Sequence, residues 1–382
     1  MRRRRRLMRR LACLAAAAFS AALGLLTILP SPDWLSWKLS VVAGQFGYMV
    51  AAVPLLAAWA AWRPALGRGP FAVATLALSG VAVVLLVQPC FQAWFIARSL
   101  PARMDREFGP GRESSRAFTF TGLLRPWPAA VPMRTLAYAG PLKLDFYPAF
   151  GRAQAPCVIV IHGGGWNDGD RGQLPQFNAW LAREGYAVAD ISYRLAPKSV
   201  WPAQREDVAA AIAFLKSASA SLGIDPSRLV LLGRSAGGQI AEACAYSLRD
   251  PSVRGVVALY APADMRFAWL WGRPDDVLNS LELLREFLGG TPETAGPAFD
   301  SASGYLLAAR GSPPTLQVHG TIDTLVWSRQ SERLSARLSE LGVPNLLLTL
   351  PWATHALEFN LSGPSGQLAS FAVRRFLDSV CR

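Results

Sequence analysis

The sequence predicts an α/β fold, a mostly parallel sheet with helices on both faces, preceded by about three transmembrane helices. Two observations lead to this prediction. Within the first 100 residues lie three long apolar segments without a charged residue. From residue 117 onward, short apolar runs alternate with amphipathic runs, a pattern typical of parallel strands connected by helices. The 382 residues suffice for one large domain and an accessory region.

The apolar segments span about residues 11–29, 41–62 and 71–95, and each has the roughly 20 residues that a helix needs to cross a bilayer. Taken alone, the first segment also fits a cleaved signal peptide, but two further segments without a clear cleavage site favour a membrane anchor. Tryptophans lie near the segment ends, as interfacial aromatic residues do: Trp34, Trp37, Trp59, Trp62 and Trp94. We therefore expect residues 1–100 to form a membrane region.

Positive charge is concentrated in the N-terminal part of the chain. The first 116 residues contain 15 Lys and Arg against 4 Asp and Glu, whereas the remainder contains 24 against 22. A strongly basic domain often binds nucleic acid. Because the C-terminal part is nearly neutral, we expect no nucleic-acid partner.

The distribution of Lys and Arg also predicts the orientation of the membrane region. Seven arginines precede the first segment, and Arg63 and Arg68 lie in the second loop, whereas the first loop contains only Lys38. This distribution favours a cytoplasmic N-terminus, and three spans then place the C-terminal domain outside the cytoplasm. Five arginines after the third segment argue for the opposite orientation: Arg98, Arg103, Arg106, Arg112 and Arg116. We expect a multi-pass protein of the cell membrane with an extracytoplasmic catalytic domain.

The charged stretch 101–116 contains Pro and Gly and is expected to be a linker, which leaves residues 117–382 for the folded domain. In that domain, apolar runs predict strands and amphipathic runs predict helices. The predicted strands are Leu142–Tyr147, 157–161, 186–191, 229–232, 256–260, 315–318 and 346–350. The predicted helices are 176–184, 206–217, 329–341 and 368–377. Residues 264–306 are predicted to be an irregular insertion, either a lid or acyl-pocket wall or a plain surface excursion.

The five cysteines lie far apart and form no C-x-x-C pair: Cys13, Cys90, Cys157, Cys244 and Cys381. From this spacing we expect neither a disulfide framework nor a metal site. No cofactor is predicted.

One turn organises the predicted site: Gly233-Arg234-Ser235-Ala236-Gly237-Gly238. It lies between the apolar run 229–232 and the helix-like run 239–245. A strand, a G-x-S-x-G turn and a helix form the nucleophile-elbow pattern, in which a tight turn exposes the serine hydroxyl above the sheet. A glycine-rich turn for phosphate is the alternative. A base, an acid and oxyanion donors elsewhere in the chain would decide between the two.

The general base is expected among three histidines, because a serine hydroxyl needs a base to remove its proton. His355 lies just beyond the last predicted strand, in a loop that suits this role. His162 and His319 each end a strand, where a packed histidine bonded to backbone is the more usual finding.

The candidate acid is Asp323, on the loop after the penultimate strand. An Asx-turn or helix-cap role is its alternative, and Asp264 is a rival acid. The order Ser235, Asp323, His355 agrees with the order in which enzymes with a nucleophile elbow carry their triad.

Acyl transfer also needs donors where negative charge develops on the carbonyl oxygen. Three glycines directly follow a predicted strand, and glycines let the backbone approach closely. We expect the N–H groups of Gly163, Gly164 and Ala236 to form an oxyanion hole. A flexible loop is the alternative for the glycine run.

Four motifs resemble the esterase/lipase branch of the α/β-hydrolases: His162-Gly163-Gly164-Gly165-Trp166, Tyr193-Arg194-Leu195-Ala196-Pro197, the turn 233–238, and His319 with Asp323. The sequence is most similar to the hormone-sensitive-lipase-like and feruloyl-esterase-like (BD-FAE) carboxylesterases, over about residues 142–377. The resemblance implies an α/β-hydrolase fold with Ser235 as nucleophile, Asp323 as acid, His355 as base, and an oxyanion hole at Gly163, Gly164 and Ala236. Arg234 stands where the lipase-like members often carry Asp.

The expected function is a membrane-anchored serine hydrolase that cleaves a small-molecule or lipid-like carboxylic ester through an acyl-enzyme. A cell-envelope acyltransferase, or an amidase or peptidase with the same triad, is the alternative. A receptor or scaffold on this fold is less expected, because such proteins usually lack a triad residue. The natural substrate and the oligomeric state stay open.

Overall fold

The computed structural model describes residues 2–63, 69–111 and 116–382. Four helices form the N-terminal region: α1 (Arg2–Leu25), α2 (Trp34–Val50), α3 (Ala52–Trp62) and α4 (Pro70–Phe108). Of the described helices, α1 and α4 are long and apolar enough to cross a membrane, and the bent pair α2 and α3 adds a third span if it is counted as one. Arg68, used above for the orientation, lies outside the described residues.

The helix predicted over 41–62 is not continuous, because α2 and α3 meet at an angle of 51°. Pro54 accounts for the break. It has no N–H to bond the carbonyl of Val50, the last residue of α2, and its ring would clash with that carbonyl in a continuous helix. The second apolar segment is therefore divided between two helices.

Helix α4 extends into the predicted linker as far as Phe108, and residues 112–115 lie outside the described residues. One face of its C-terminal half packs into the core of the following domain through Cys90, Leu100 and Met104. Phe108 packs edge-to-face on Phe376, with ring centroids 4.9 Å apart. The first part of the stretch 101–116 thus belongs to the folded structure.

An eight-stranded sheet follows, in the order β1-β2-β4-β3-β5-β6-β7-β8. The strands are β1 (Arg134–Ala139), β2 (Leu142–Tyr147), β3 (Ala155–Ile161), β4 (Ala187–Ile191), β5 (Ile224–Arg234), β6 (Val253–Leu259), β7 (Thr315–Gly320) and β8 (Asn345–Leu350). Strands β1 and β2 pair antiparallel, β2 also pairs antiparallel with β4, and the rest are parallel. The predicted mostly parallel sheet is confirmed. Strand β1 was not predicted, because its half-exposed edge position leaves no apolar run.

A short 3₁₀-helix (Thr121–Leu124) and ten α-helices follow α4 in the described residues. The α-helices are α5 (Pro175–Arg183), α6 (Ala203–Ser217), α7 (Ser219–Leu222), α8 (Ala236–Leu248), α9 (Met265–Trp271), α10 (Ser280–Leu288), α11 (Gly296–Ser301), α12 (Gly304–Leu307), α13 (Arg329–Glu340) and α14 (Pro364–Val380). Helices α6, α8 and α13 pack on one face of the sheet, and α4, α5 and α14 on the other. In β5, Leu229 and Leu231 face the first layer, whereas Val230 and Leu232 face the second. A strand that is buried on both faces is expected to have a continuous run of apolar residues, and residues 229–232 are such a run.

The insertion 264–306 is helical rather than irregular, since α9 to α12 occupy most of it. Each of these helices has nine residues or fewer, too short for an apolar period to stand out in the sequence. Phe287 of α10 stacks on Trp166 of the glycine motif, with ring centroids 4.4 Å apart. The insertion therefore packs directly above the carboxyl ends of the strands.

Replacing Leu231 by Ala is expected to lower the free energy of unfolding by about 2–5 kcal/mol. The side chain is fully buried between the central strand and the first layer of helices, so its loss leaves a cavity there. Urea unfolding in detergent micelles measures the change. Leu124→Ala is the matched control, because that leucine is 77% exposed and should change stability by less than about 0.5 kcal/mol. Equal effects of the two substitutions would contradict the assigned core.

Candidate active site

Ser235 lies in the turn between β5 and α8, with φ of 53° and ψ of −123°. The sharp turn requires glycine on both sides of it. A Cβ atom on Gly233 would lie 2.0 Å from the Gly237 carbonyl oxygen, and one on Gly237 would lie 2.2 Å from the Ile161 carbonyl oxygen. The serine is therefore held in a strained conformation at the carboxyl edge of the sheet, as the elbow pattern predicts.

His355 and Asp323 are brought together by the loops that follow β8 and β7. His355 Nδ1 donates to Asp323 Oδ2 over 2.7 Å, and both side chains are buried. The other carboxylate oxygen of Asp323 accepts from the backbone N–H groups of Leu325 and Val326 at 2.9 and 3.1 Å. Burial raises the pKa of Asp323, but the neighbouring His355 and His319 outweigh it and hold this pKa well below its usual range. The carboxylate stays ionised and fixes the orientation of the imidazole.

The rival acid, Asp264, serves a different purpose. Its carboxylate caps α9 by accepting from the N–H of Phe267 at 3.0 Å, and its other oxygen pairs with Arg333 at 2.9 Å. No hydrogen bond joins it to a histidine among the described residues. Asp323 is thus the acid that contacts His355.

The other two histidines are packed into the structure. His162 stacks on Tyr193, and its Nδ1 lies 2.8 Å from the Gly163 carbonyl oxygen; burial lowers the pKa of this imidazole. His319 contacts the Ser331 hydroxyl at 2.7 Å and the Val326 carbonyl oxygen at 3.0 Å. It also lies 3.4 Å from Asp323, so it supports the loop that carries the acid.

Two cavities meet at Ser235, with volumes of about 480 and 500 Å³. The smaller is lined by Asp323 and by aromatic residues of α9 and the following loops, and the larger by the glycine motif and His355. A separate cavity of about 640 Å³ lies at the amino ends of the strands and contains none of the predicted site residues. Ligands of open α/β sheets bind at the carboxyl ends of the strands, so the paired cavities form the candidate site.

The glycine motif differs from the prediction at Gly163. Its N–H donates to Gln173 Oε1 over 2.9 Å, so this donor is already in use. Among the hydrogen bonds of the described residues, none uses the N–H of Gly164, Gly165 or Ala236. Ala236 is the first residue of α8, where the helix leaves N–H groups without an internal partner. Gly165, which the sequence did not single out, is therefore available as a donor, whereas Gly163 is not.

A buried ion pair that the sequence did not reveal lies beneath the site. Arg234 Nε donates to Glu358 Oε1 over 2.8 Å, and both side chains are almost completely buried. The Tyr260 hydroxyl donates to the same oxygen over 2.7 Å, and the Tyr260 ring lies 4.2 Å from the His355 ring. Arg234, the residue before Ser235, is thus connected to the loop that carries His355. One indication of this ion pair was present in the sequence, namely that Arg234 stands in the turn where lipase-like members often carry Asp.

The fold and the site define the class of protein, an α/β-hydrolase of the esterase kind. Residues 144–338 match the BD-FAE family model, and the chain belongs to that family.

Curated relatives include esterases of Mycobacterium tuberculosis. The probable carboxylic ester hydrolase LipM is 28% identical over 74% of this chain and 72% of its own length. The esterase LipQ is 30% identical over 59% of this chain, and the chain spans only 56% of its length. Among solved structures, a bacterial heroin esterase aligns over 74% of this chain and 92% of its own, with a TM-score of 0.58 and 24% identity, which shows a common fold.

Replacing Arg234 by Met is expected to lower the free energy of unfolding by about 3–5 kcal/mol, because it leaves the Glu358 carboxylate buried without its partner. The double variant Arg234→Met with Glu358→Leu should recover most of that loss, since no uncompensated charge remains. Thermal and urea unfolding measure both. Arg285→Met is the control, because its ion pair with Glu282 is exposed and should contribute no more than about 1 kcal/mol. A double variant no more stable than the single one would contradict this account.

Proposed function

We propose that this chain is a membrane-anchored serine hydrolase that cleaves carboxylic esters through an acyl-enzyme. The observation that carries the proposal is the 2.7 Å hydrogen bond between Asp323 and His355, together with a cavity that His355 shares with Ser235. This combination supplies a nucleophile, a base and an acid that orients the base. The esterase relatives support the same reaction class.

In the proposed reaction, Ser235 Oγ attacks the ester carbonyl carbon while His355 Nε2 takes the hydroxyl proton. Asp323 stabilises the imidazolium that forms. The tetrahedral intermediate then expels the alcohol, which receives the proton from His355. A water molecule then attacks the acyl-enzyme while His355 takes a proton from the water. The carboxylic acid is released, and Ser235 regains its proton from His355.

The negative charge on the carbonyl oxygen is proposed to be stabilised by the N–H groups of Gly164, Gly165 and Ala236. The positive φ values of Gly164 (124°) and Gly165 (58°) support this role, because they give the loop a conformation that other residues rarely adopt. Gly163, whose N–H is bonded to Gln173, would hold the loop in place rather than contact the oxyanion. Removing one donor of this kind typically costs about 10²–10³ in kcat.

The two cavities at Ser235 suit an ester, which has one group on each side of its carbonyl. Phe267, Trp271 and Trp327 line the smaller cavity, and their rings lie within 6.2 Å of one another. An apolar acyl or aryl group would be favoured there. Helix α9 of the insertion supplies two of these rings, which supports the role of acyl-pocket wall for the insertion.

Membrane anchoring is part of the proposal. Helices α1 and α4 are long and apolar enough for two spans, and the proposal counts the bent pair α2 and α3 as a third. With the N-terminal arginines in the cytoplasm, an odd number of spans puts the catalytic domain outside it.

Replacing Ser235 by Ala is expected to lower kcat for p-nitrophenyl acetate by about a thousandfold or more, because no nucleophile remains. Asp323→Asn should lower kcat by about 10⁴-fold, because the amide favours the wrong tautomer of His355. Steady-state hydrolysis by the full-length protein in detergent measures both.

The matched control is Asp264→Asn, an identical change in the rival acid, which caps α9. It should lower kcat by less than about tenfold. If Ser235→Ala kept wild-type turnover, or if Asp264→Asn were the more damaging of the two Asp variants, the proposed triad would be wrong.

A reporter enzyme that is active only outside the cytoplasm, fused after Arg382, is expected to be active in cells. The reason is that three spans separate this end of the chain from the arginine-rich N-terminus. The same fusion with a reporter that is active only in the cytoplasm serves as the control. Activity of the cytoplasmic reporter alone would reverse the proposed orientation.

A further inference from the structure

The cavity shared by Ser235 and His355 is completed by residues from outside the domain that carries them. Trp34 and Trp37, at the start of α2, line this cavity, and their rings lie 5.2 Å apart in an edge-to-face arrangement. Pro30, in the connection between α1 and α2, lines the neighbouring cavity. The connection that joins two candidate membrane segments therefore forms part of the wall of the site.

Helix α2 is held in this position by hydrogen bonds to the loop that follows His355. Gln45 Nε2 donates to the Ala356 carbonyl oxygen over 2.5 Å, and Gln45 Oε1 accepts from the Asn360 N–H over 2.6 Å. The Asn360 side chain in turn donates to the Gln45 carbonyl oxygen over 3.1 Å. A buried glutamine bonded at both ends of its amide fixes the register of the helix against the loop. The two tryptophans are thus placed at the site by specific contacts.

Large apolar side chains are exposed around the mouth of the two cavities. The catalytic domain contributes Trp271, Trp327 and Phe359, which line the cavities and are 60%, 47% and 45% exposed. The α1–α2 connection and the start of α2 add further exposed apolar residues: Leu29, Trp34 and Leu35. An exposed apolar surface of this kind marks a site of contact with a protein, a ligand or a membrane.

A lipid bilayer is the apolar phase expected next to this surface, because the surface adjoins a candidate membrane helix of the same chain. The exposed rim on the N-terminal side is continuous with α1, which is long and apolar enough to cross a membrane. Tryptophans such as Trp34 and Trp37 are the residues that prefer the boundary between hydrocarbon and water. The mouth of the site and the membrane boundary then coincide at the start of α2.

We propose that the site opens at the membrane interface, and that its substrate is a long-chain ester dissolved in the same bilayer. The acyl chain enters beside Trp34 and Trp37 without leaving the apolar phase, while the ester carbonyl reaches Ser235 at the interface. This inference rests on the proposed ester hydrolysis. It adds a specificity role for the N-terminal region, which lies outside the part of the chain that matches the family model.

The test uses the full-length protein reconstituted in phosphatidylcholine vesicles. The measured quantity is the ratio of kcat/KM for p-nitrophenyl palmitate, incorporated in the vesicles, to that for water-soluble p-nitrophenyl acetate. The double variant Trp34→Ala with Trp37→Ala should lower this ratio by about tenfold or more, because the acyl chain loses its aromatic contacts. Trp59→Ala is the matched control, since Trp59 is an exposed tryptophan of α3 that lines neither cavity. An unchanged ratio in the double variant, or an equal fall in the control, would overturn the inference.

A second measurement needs no variant and covers the case in which the double variant does not fold. The palmitate ester is supplied either in the vesicles that hold the enzyme or in separate vesicles of the same composition. Entry from the bilayer predicts hydrolysis about tenfold faster or more when enzyme and ester share a membrane. Equal rates would contradict it. Acetate hydrolysis lost in Ser235→Ala supports the proposed function independently, so failure of the membrane inference and failure of the ester hydrolase proposal give different results.

Discussion

The tight turn at Ser235 is the constraint on which the rest of the site depends. A non-glycine residue at φ of 53° is unfavourable by itself and persists only where the surrounding structure fixes it. The Ser235 N–H donates to the Leu259 carbonyl oxygen over 2.9 Å, and the Ser235 carbonyl accepts from Gly238 at 2.9 Å. Strand β5, whose three leucines and one valine are buried between two layers of helices, anchors the turn from below. Core packing therefore stabilises the position of the proposed nucleophile.

The same sheet positions the other site residues. Asp323 and His355 follow the adjacent strands β7 and β8, so the order of strands in the sheet brings together residues that are far apart in the chain. The Arg234–Glu358 pair and Tyr260 then connect the loop of His355 to the turn of Ser235. A buried pair of this kind contributes little net stability compared with apolar residues, so its retention here is best explained by the geometry that it imposes.

Much of the fold could be predicted because a parallel strand buried on both faces leaves a continuous apolar run. Strands β3 and β5 are examples. Long-range polar contacts leave no such pattern. The bond from Gly163 to Gln173 depends on how a loop folds back, and Glu358 lies 124 residues from Arg234 along the chain. The break before α3 did have a signal, Pro54, whose effect on a helix is local and could have been anticipated.

The proposed ester hydrolysis depends most on Ser235 being an activated nucleophile. The direct measurement is mass spectrometry of the full-length protein after treatment with an alkyl fluorophosphonate, which forms a stable adduct with activated serines. We predict one adduct per chain, on the peptide that contains Ser235, and its loss in His355→Ala, because the base that activates the hydroxyl is then missing. An unlabelled Ser235, or an adduct on a different serine, would contradict the account.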